Sequence, residues 1–137
     1  MKALIEYAMS WLGTPYEWGG DGRGGIDCSG FVQEVLASVG LDPIGDQTAH
    51  GLFEYFSIRG KHLEKPEQGA LVFYGSERKT HVAFAIDSFR VIEAGGGGSK
   101  TLTFEDAIKH NAWVRIRPYN HRKDNIIILK PSYDFFT

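Results

Sequence analysis

The order of elements along this sequence predicts an α+β fold, with helices first and a mainly antiparallel sheet after them. Three observations carry that expectation. Up to about Ser57 the apolar residues recur at helical spacing. From Ala70 onward they fall in short runs bounded by glycine, aspartate and serine. Several of these runs are linked closely enough to pair as hairpins, which segregates helices from strands. No repeat and no linker divides the 137 residues, so a single domain over 1–137 is expected, with residues 118–137 as an extra strand and tail.

Composition narrows the function classes. With 42% hydrophobic and 23% charged residues the chain can build an ordinary core. A formal charge of −2 gives no basic footprint for nucleic acid or an anionic membrane. No segment is long enough to span a bilayer. The single cysteine, Cys28, cannot close an internal disulfide. No His/Cys/Asp/Glu group has metal-ligand spacing, so no metal and no other cofactor is expected.

Taken in order, Met1 to Leu12 sets Ala3-Leu4, Tyr7-Ala8 and Trp11-Leu12 on one stripe and predicts a helix. Glu6 interrupts the apolar run and no small-residue cleavage site follows, which argues against a signal peptide. Gly13 ends the helix and Thr14-Pro15 forces an extended exit. The loop from Gly19 to Gly25 is too rich in glycine to be an element. Phe31, Val32, Val35, Leu36 and Val39 then mark one face of a helix running from Cys28 to Gly40.

Leu41 to Asp46 is a turn-rich connector. Gln47 to Ser57 predicts a short helix with Ala49, Leu52, Phe53 and Phe56 inward, and Lys61 to Gly69 reads as loop. Strands are expected at Ala70–Tyr74, His81–Ile86, Phe89–Ala94, Trp113–Arg117 and Ile126–Leu129. A helix capped by Thr103, with Glu105 and Asp106 in its first turn, should reach about Lys109. Tyr133, Phe135 and Phe136 form an aromatic tail expected to dock on the core.

Cys28 is the first chemical candidate. Asp27 and Ser29 beside it are both good N-cap residues. A thiol at a helix N-terminus faces unpaired N–H groups and the positive end of the dipole, which favours the nucleophilic thiolate. Such a nucleophile needs a base. Of five histidines, His50, His62, His110 and His121 lie in loops or at helix ends and read as solvated rings, whereas His81 opens an apolar strand. A tight turn at Asp87-Ser88 would bring Glu93 opposite His81, on the same face and about 5 Å away. A carboxylate there would accept Nδ1–H and steady the ring. Ala94-Gly95-Gly96-Gly97-Gly98-Ser99-Lys100-Thr101 nearly spells a phosphate-binding loop, but Ser99 stands where glycine is required and the helix begins too late. Arg23 is a candidate to meet a substrate carboxylate, and Trp11, Trp18 and Trp113 read as core or cleft-wall aromatics.

Gly13-Thr14-Pro15-Tyr16-Glu17-Trp18-Gly19-Gly20, followed by Asp27-Cys28-Ser29-Gly30-Phe31-Val32, resembles the entry motif of NlpC/P60 cysteine peptidases. Gly69 to Phe73 and His81-Val82-Ala83 resemble that family's strand before the histidine and its histidine strand. The resemblance implies a papain-like α+β fold that hydrolyses amide bonds in peptidoglycan stem peptides, often between D-γ-glutamyl and a diamino acid. It implies Cys28 as nucleophile, His81 as base and a third polar group at Glu93, where the family more often has histidine. It also implies Tyr16, Asp27 and Ser29 as substrate-site residues, and Trp18 is counted with them.

Two further readings stand beside hydrolysis. One is a non-catalytic peptide-binding or phage assembly module, against which the intact Cys28, His81 and Glu93 argue. The other is a thiol acyltransferase or amidase, which differs only in what resolves the thioester. The expected site of action is the cell wall, reached from the cytoplasm without a signal peptide. A phage lysin or virion component, with phage tail or lysis partners, would meet that need.

Overall fold

The computed structural model describes residues 1–122 and 124–134. Helix α1 (Lys2–Met9) ends earlier than its apolar stripe suggests, and turns carry the chain to Gly13 at φ +86°. Leu4, Ala8 and Trp11 are buried while Leu12 is exposed, so the stripe holds on one side only. The extended exit at Thr14-Pro15 has a structural use. Gly13 N–H donates to Val114 O and Val114 N–H to Thr14 O, which lays this segment along strand β7 (Trp113–Pro118).

The glycine-rich stretch is an element after all. Strands β1 (Asp21–Gly22) and β2 (Gly25–Ile26) form a two-stranded antiparallel ribbon that ends at the N-terminus of helix α2 (Cys28–Ala37). Helix α2 stops before Gly40, and Phe31, Val32, Val35 and Leu36 on its inner face are fully buried. Each such side chain stabilises the fold by about 1.5–3 kcal/mol on transfer from water. Helix α3 (Ala49–Ser57) is capped by Thr48, and its Ala49, Leu52 and Phe56 face inward as expected, with Phe53 half-buried.

Among the described residues, six strands form one antiparallel sheet in the order β3-β8-β4-β5-β6-β7. They are β3 (Lys61–Leu63), β4 (Leu71–Tyr74), β5 (His81–Ala85), β6 (Arg90–Gly95), β7 and β8 (Ile126–Lys130). Leu71, Phe73, Val82, Phe84 and Ile92 join the core under the helices, and Val72, Tyr74, Ala83, Ala85 and Val91 form a second apolar cluster. Burial of both sets explains why β4 and β5 read as continuous apolar runs rather than alternating ones. Helix α4 (Phe104–His110) has the expected Thr103 cap, completed by Asp106 as a capping box.

Two expectations change. Lys61–Leu63 is an edge strand rather than loop, because β8 supplies it a partner. The strand of the C-terminal segment is not an appendage, since β8 lies between β3 and β4. Tyr133 packs on the core and donates its hydroxyl to Gly69 O at 2.6 Å. Phe135 and Phe136 lie outside the described residues.

Candidate active site

Asp27 places the cysteine. It is the N-cap of α2, and its carboxylate accepts N–H from Gly30 at 2.8 Å and from Gly19 at 3.1 Å. The first contact closes the helix start and the second ties it to the glycine ribbon. Gly30 has no substitute here, because a Cβ would lie 2.7 Å from Gly20 O and 2.9 Å from the Asp27 carboxylate. Cys28 is therefore the first residue of the helix, half-exposed in a cleft of about 570 Å³. Burial pushes the Asp27 carboxyl up, against these hydrogen bonds.

His81 opens β5 and is buried. Its ring is hydrogen-bonded through Nε2 to Glu93 Oε1 at 2.9 Å, and it lines the same cleft as the Cys28 thiol. The contact to Glu93 thus uses Nε2, not the Nδ1 expected from the sequence, and Nδ1 is the ring nitrogen that remains. The hairpin register also differs. Phe84 pairs with Ile92 and Ala85 with Val91, a two-residue offset from the expected alignment, so Glu93 is diagonal to His81 rather than opposite. An offset of two preserves parity, which keeps both side chains on one face and within reach of each other.

Glu93 is fully buried and gathers more than one partner. His121 Nε2 also contacts Oε1 at 2.9 Å, and Arg115 Nε lies 3.7 Å from Oε2. Burial alone would raise the Glu93 carboxyl, but hydrogen bonds and charge from His81 and His121 hold it at about 2. An ionised carboxylate only accepts, so both imidazoles donate their Nε2–H to it. Burial alone would lower His81, but Cys28 and Glu93 together raise it to about 9. Burial pushes His121 down, against the pull of Glu93.

The remaining candidates divide. Tyr16, Trp18, Asp27 and Ser29 all line the cleft with Cys28 and His81. Burial, followed by the neighbouring Cys28 and Asp27, pushes the Tyr16 phenol far above its usual range. Arg23 does not join them. Its guanidinium stacks 3.7 Å from the Trp11 ring and donates to Ser10 O, which gives it a structural role away from the cleft. The end of β6 and the glycine run after it supply wall, with Gly95, Gly97 and Gly98 in the lining. Two walls are tied back by polar contacts. Gln33 donates to Asp42 and Gly45 O and accepts from Gln47 N–H, and Lys79 N–H donates to His50 Nδ1.

Sequence reasoning missed Arg115, His121 and Arg122. His121 and Arg122 follow Pro118 in a polar stretch with no local pattern, and only the sheet's return through β8 brings them under Glu93 and into the cleft. Four of the histidines were read as solvated, yet His50 accepts from Lys79, His110 Nδ1 contacts Thr101 Oγ1 at 2.7 Å, and His121 binds Glu93; His62 remains exposed.

The NlpC/P60 family model matches residues 13–117, from the end of the first helical segment to the last residue but one of β7. The chain belongs to the NlpC/P60 family. Relatives include the probable peptidoglycan endopeptidase LytE of Bacillus subtilis, 33% identical over 100 residues, covering 72% of this chain and 28% of that protein. The peptidoglycan endopeptidase RipB of Mycobacterium tuberculosis is 33% identical over 118 residues, covering 73% and 45%. The chain thus spans less than half the length of these relatives. The NlpC/p60 domain of the peptidoglycan hydrolase SagA superposes with a TM-score of 0.69 at 25% identity, over 93% of this chain and 96% of that one. His121 and Arg122 lie beyond the matched segment.

Proposed function

We propose that this NlpC/P60 chain is a cysteine endopeptidase of peptidoglycan stem peptides, cutting the amide between a D-γ-glutamyl residue and a diamino acid. The observation that carries the reading is the placement of the His81 ring, with Nε2 committed to Glu93 and the ring in the same cleft as Cys28 at the start of α2. The names of the relatives support the substrate class.

The arrangement suits acyl transfer to sulfur. His81 Nδ1 takes the thiol proton, and Glu93 stabilises the resulting imidazolium without accepting that proton. The thiolate attacks the carbonyl carbon. The oxygen that gains charge is met by the Cys28 N–H at the positive start of α2. As the C–N bond breaks, His81 returns its proton to the leaving amine, leaving a thioester on Cys28. Water, activated by the neutral imidazole, then releases the acid and restores the thiol. The site of action is the cell wall, where that polymer lies.

The test is incubation with purified peptidoglycan and mass analysis of the fragments. The reading expects a new amine and a new carboxyl across one γ-glutamyl bond, and none with Cys28→Ala. Turnover that persists in Cys28→Ala would end it. Fragments that carry an added amine in place of water would replace hydrolysis by acyl transfer.

A further inference from the structure

Arg122 sits in the polar connection between β7 and β8 and lines the same cleft as Cys28, Tyr16 and His81. Its Nε is buried with no hydrogen-bond partner among the described residues. Its guanidinium carbon lies 5.7 Å from the centre of the Tyr74 ring. No carboxylate among the described residues hydrogen-bonds to this Nε, Asp46 of the same lining included. Glu93 holds His81 and His121 on Oε1 and faces Arg115 with Oε2. The other cations in the lining differ from Arg122. The Lys79 ammonium donates to Gly75 O and Ser76 O, and Arg78 lies exposed at the rim. Asp27 across the cleft is spent on the amides of Gly30 and Gly19.

A buried guanidinium Nε–H without a hydrogen-bond partner is costly, and the planar fork it belongs to matches a carboxylate. We infer that Arg122 is an anion subsite of the cleft and takes a free carboxylate of the peptide substrate. The inference rests on the proposed function for the identity of that carboxylate. A γ-linked glutamyl residue leaves its α-carboxyl free, four bonds from the scissile carbonyl carbon, a reach of about 5 Å when extended. The cleft is large enough to hold both groups at once. The subsite then selects γ-glutamyl substrates with an ionised α-carboxyl over those in which it is a carboxamide.

The experiment pairs two peptides, γ-glutamyl–diamino acid with a free α-carboxyl and the same peptide with an α-carboxamide. The wild type should favour the first by about 10–100-fold in kcat/KM, the worth of one charged hydrogen-bonded pair. Arg122→Gln should erase the preference by raising KM for the carboxylate peptide alone, and Arg122→Lys should keep part of it. An unchanged preference in Arg122→Gln, or an equal loss on both peptides, would overturn the subsite. Should the wild type cleave neither peptide, the peptidase reading fails while the subsite is still judged. Both peptides are then titrated calorimetrically into Cys28→Ala with and without Arg122→Gln. Tighter binding of the carboxylate peptide that disappears with Arg122→Gln supports the subsite, and equal binding overturns it.

Discussion

The two sides of the His81 ring are built in different ways. On the sulfur side the parts lie close together in the chain: Asp27 caps α2, Gly30 permits the close approach of the ribbon, and Cys28 stands between them. On the carboxylate side Glu93 draws on β5, β7 and the connection after β7, with His121 28 residues away in sequence. The first side is a local device that a short motif can specify. The second exists only when the sheet is complete, so its residues should respond to perturbation through stability as well as rate.

Breaking each side separately should expose that difference. The largest loss is expected on the imidazole common to both. His81→Ala should lower kcat by about 10³-fold or more, in line with removing a general base and its activated nucleophile together. Peptidoglycan turnover by the purified variant checks it. Next comes the carboxylate. Glu93→Gln keeps an oxygen for the His81 Nε2–H but removes the charge, so kcat should fall about 10–100-fold, the scale of one charged hydrogen bond. The same change should also lower thermal stability by about 3 kcal/mol, because Arg115 and the protonated His81 lose their buried partner. Cys28→Ala should cost less, since the thiol is only partly buried and Ala keeps the helix start capped by Asp27.

The pH dependence of stability sharpens the same contrast. Glu93 binds its proton more weakly folded, at about 2, than its ordinary 4.5, so its contribution is present above 4.5 and lost as pH falls towards 2. His81 is raised from 6.5 to about 9, so its contribution is full below 6.5 and lost as pH rises through 9. These two groups together favour the window from about 4.5 to 6.5. His121, lowered by burial, works in the other direction below 6.5. Melting temperatures across pH 3–10 should show both losses in the wild type and a flatter profile in Glu93→Gln.

The smallest effect belongs to the outermost partner. His121→Asn removes one of the two hydrogen bonds to Glu93 Oε1, about 1 kcal/mol of orientation, so kcat should drop by about fivefold. KM should stay within twofold, which steady-state kinetics would separate from a binding defect.

This division also explains what could be read from the sequence. The sulfur side was legible because its signal is compressed into Asp27-Cys28-Ser29-Gly30 and the apolar face that follows. The pairing of His81 with Glu93 was legible in kind, since parity survives a shift of two residues, but not in detail. The turn at Asp87 is two residues wider than that alignment requires, with Ile86 set against Arg90, and this shifts Glu93 from opposite His81 to diagonal. Arg115, His121 and Arg122 were not legible at all. The position of Arg115 follows from the β6–β7 register, which sets it opposite Glu93, and those of His121 and Arg122 from the connection between β7 and β8, long-range pairings that leave no trace in local periodicity. Lys61–Leu63 was missed for the same reason, and Arg23 was misplaced because its stacking on Trp11 crosses from the ribbon to the turn after α1.

The central claim concerns the contact between sulfur and imidazole, and the alkylation rate of Cys28 by iodoacetamide measures it without any substrate. At pH 6, labelling should be fastest in the wild type, slower in Glu93→Gln and at least tenfold slower in His81→Ala, because the imidazole that takes up the thiol proton is weakened in the first variant and gone in the second. Equal rates in the three proteins, all folded by thermal melt, would contradict the account.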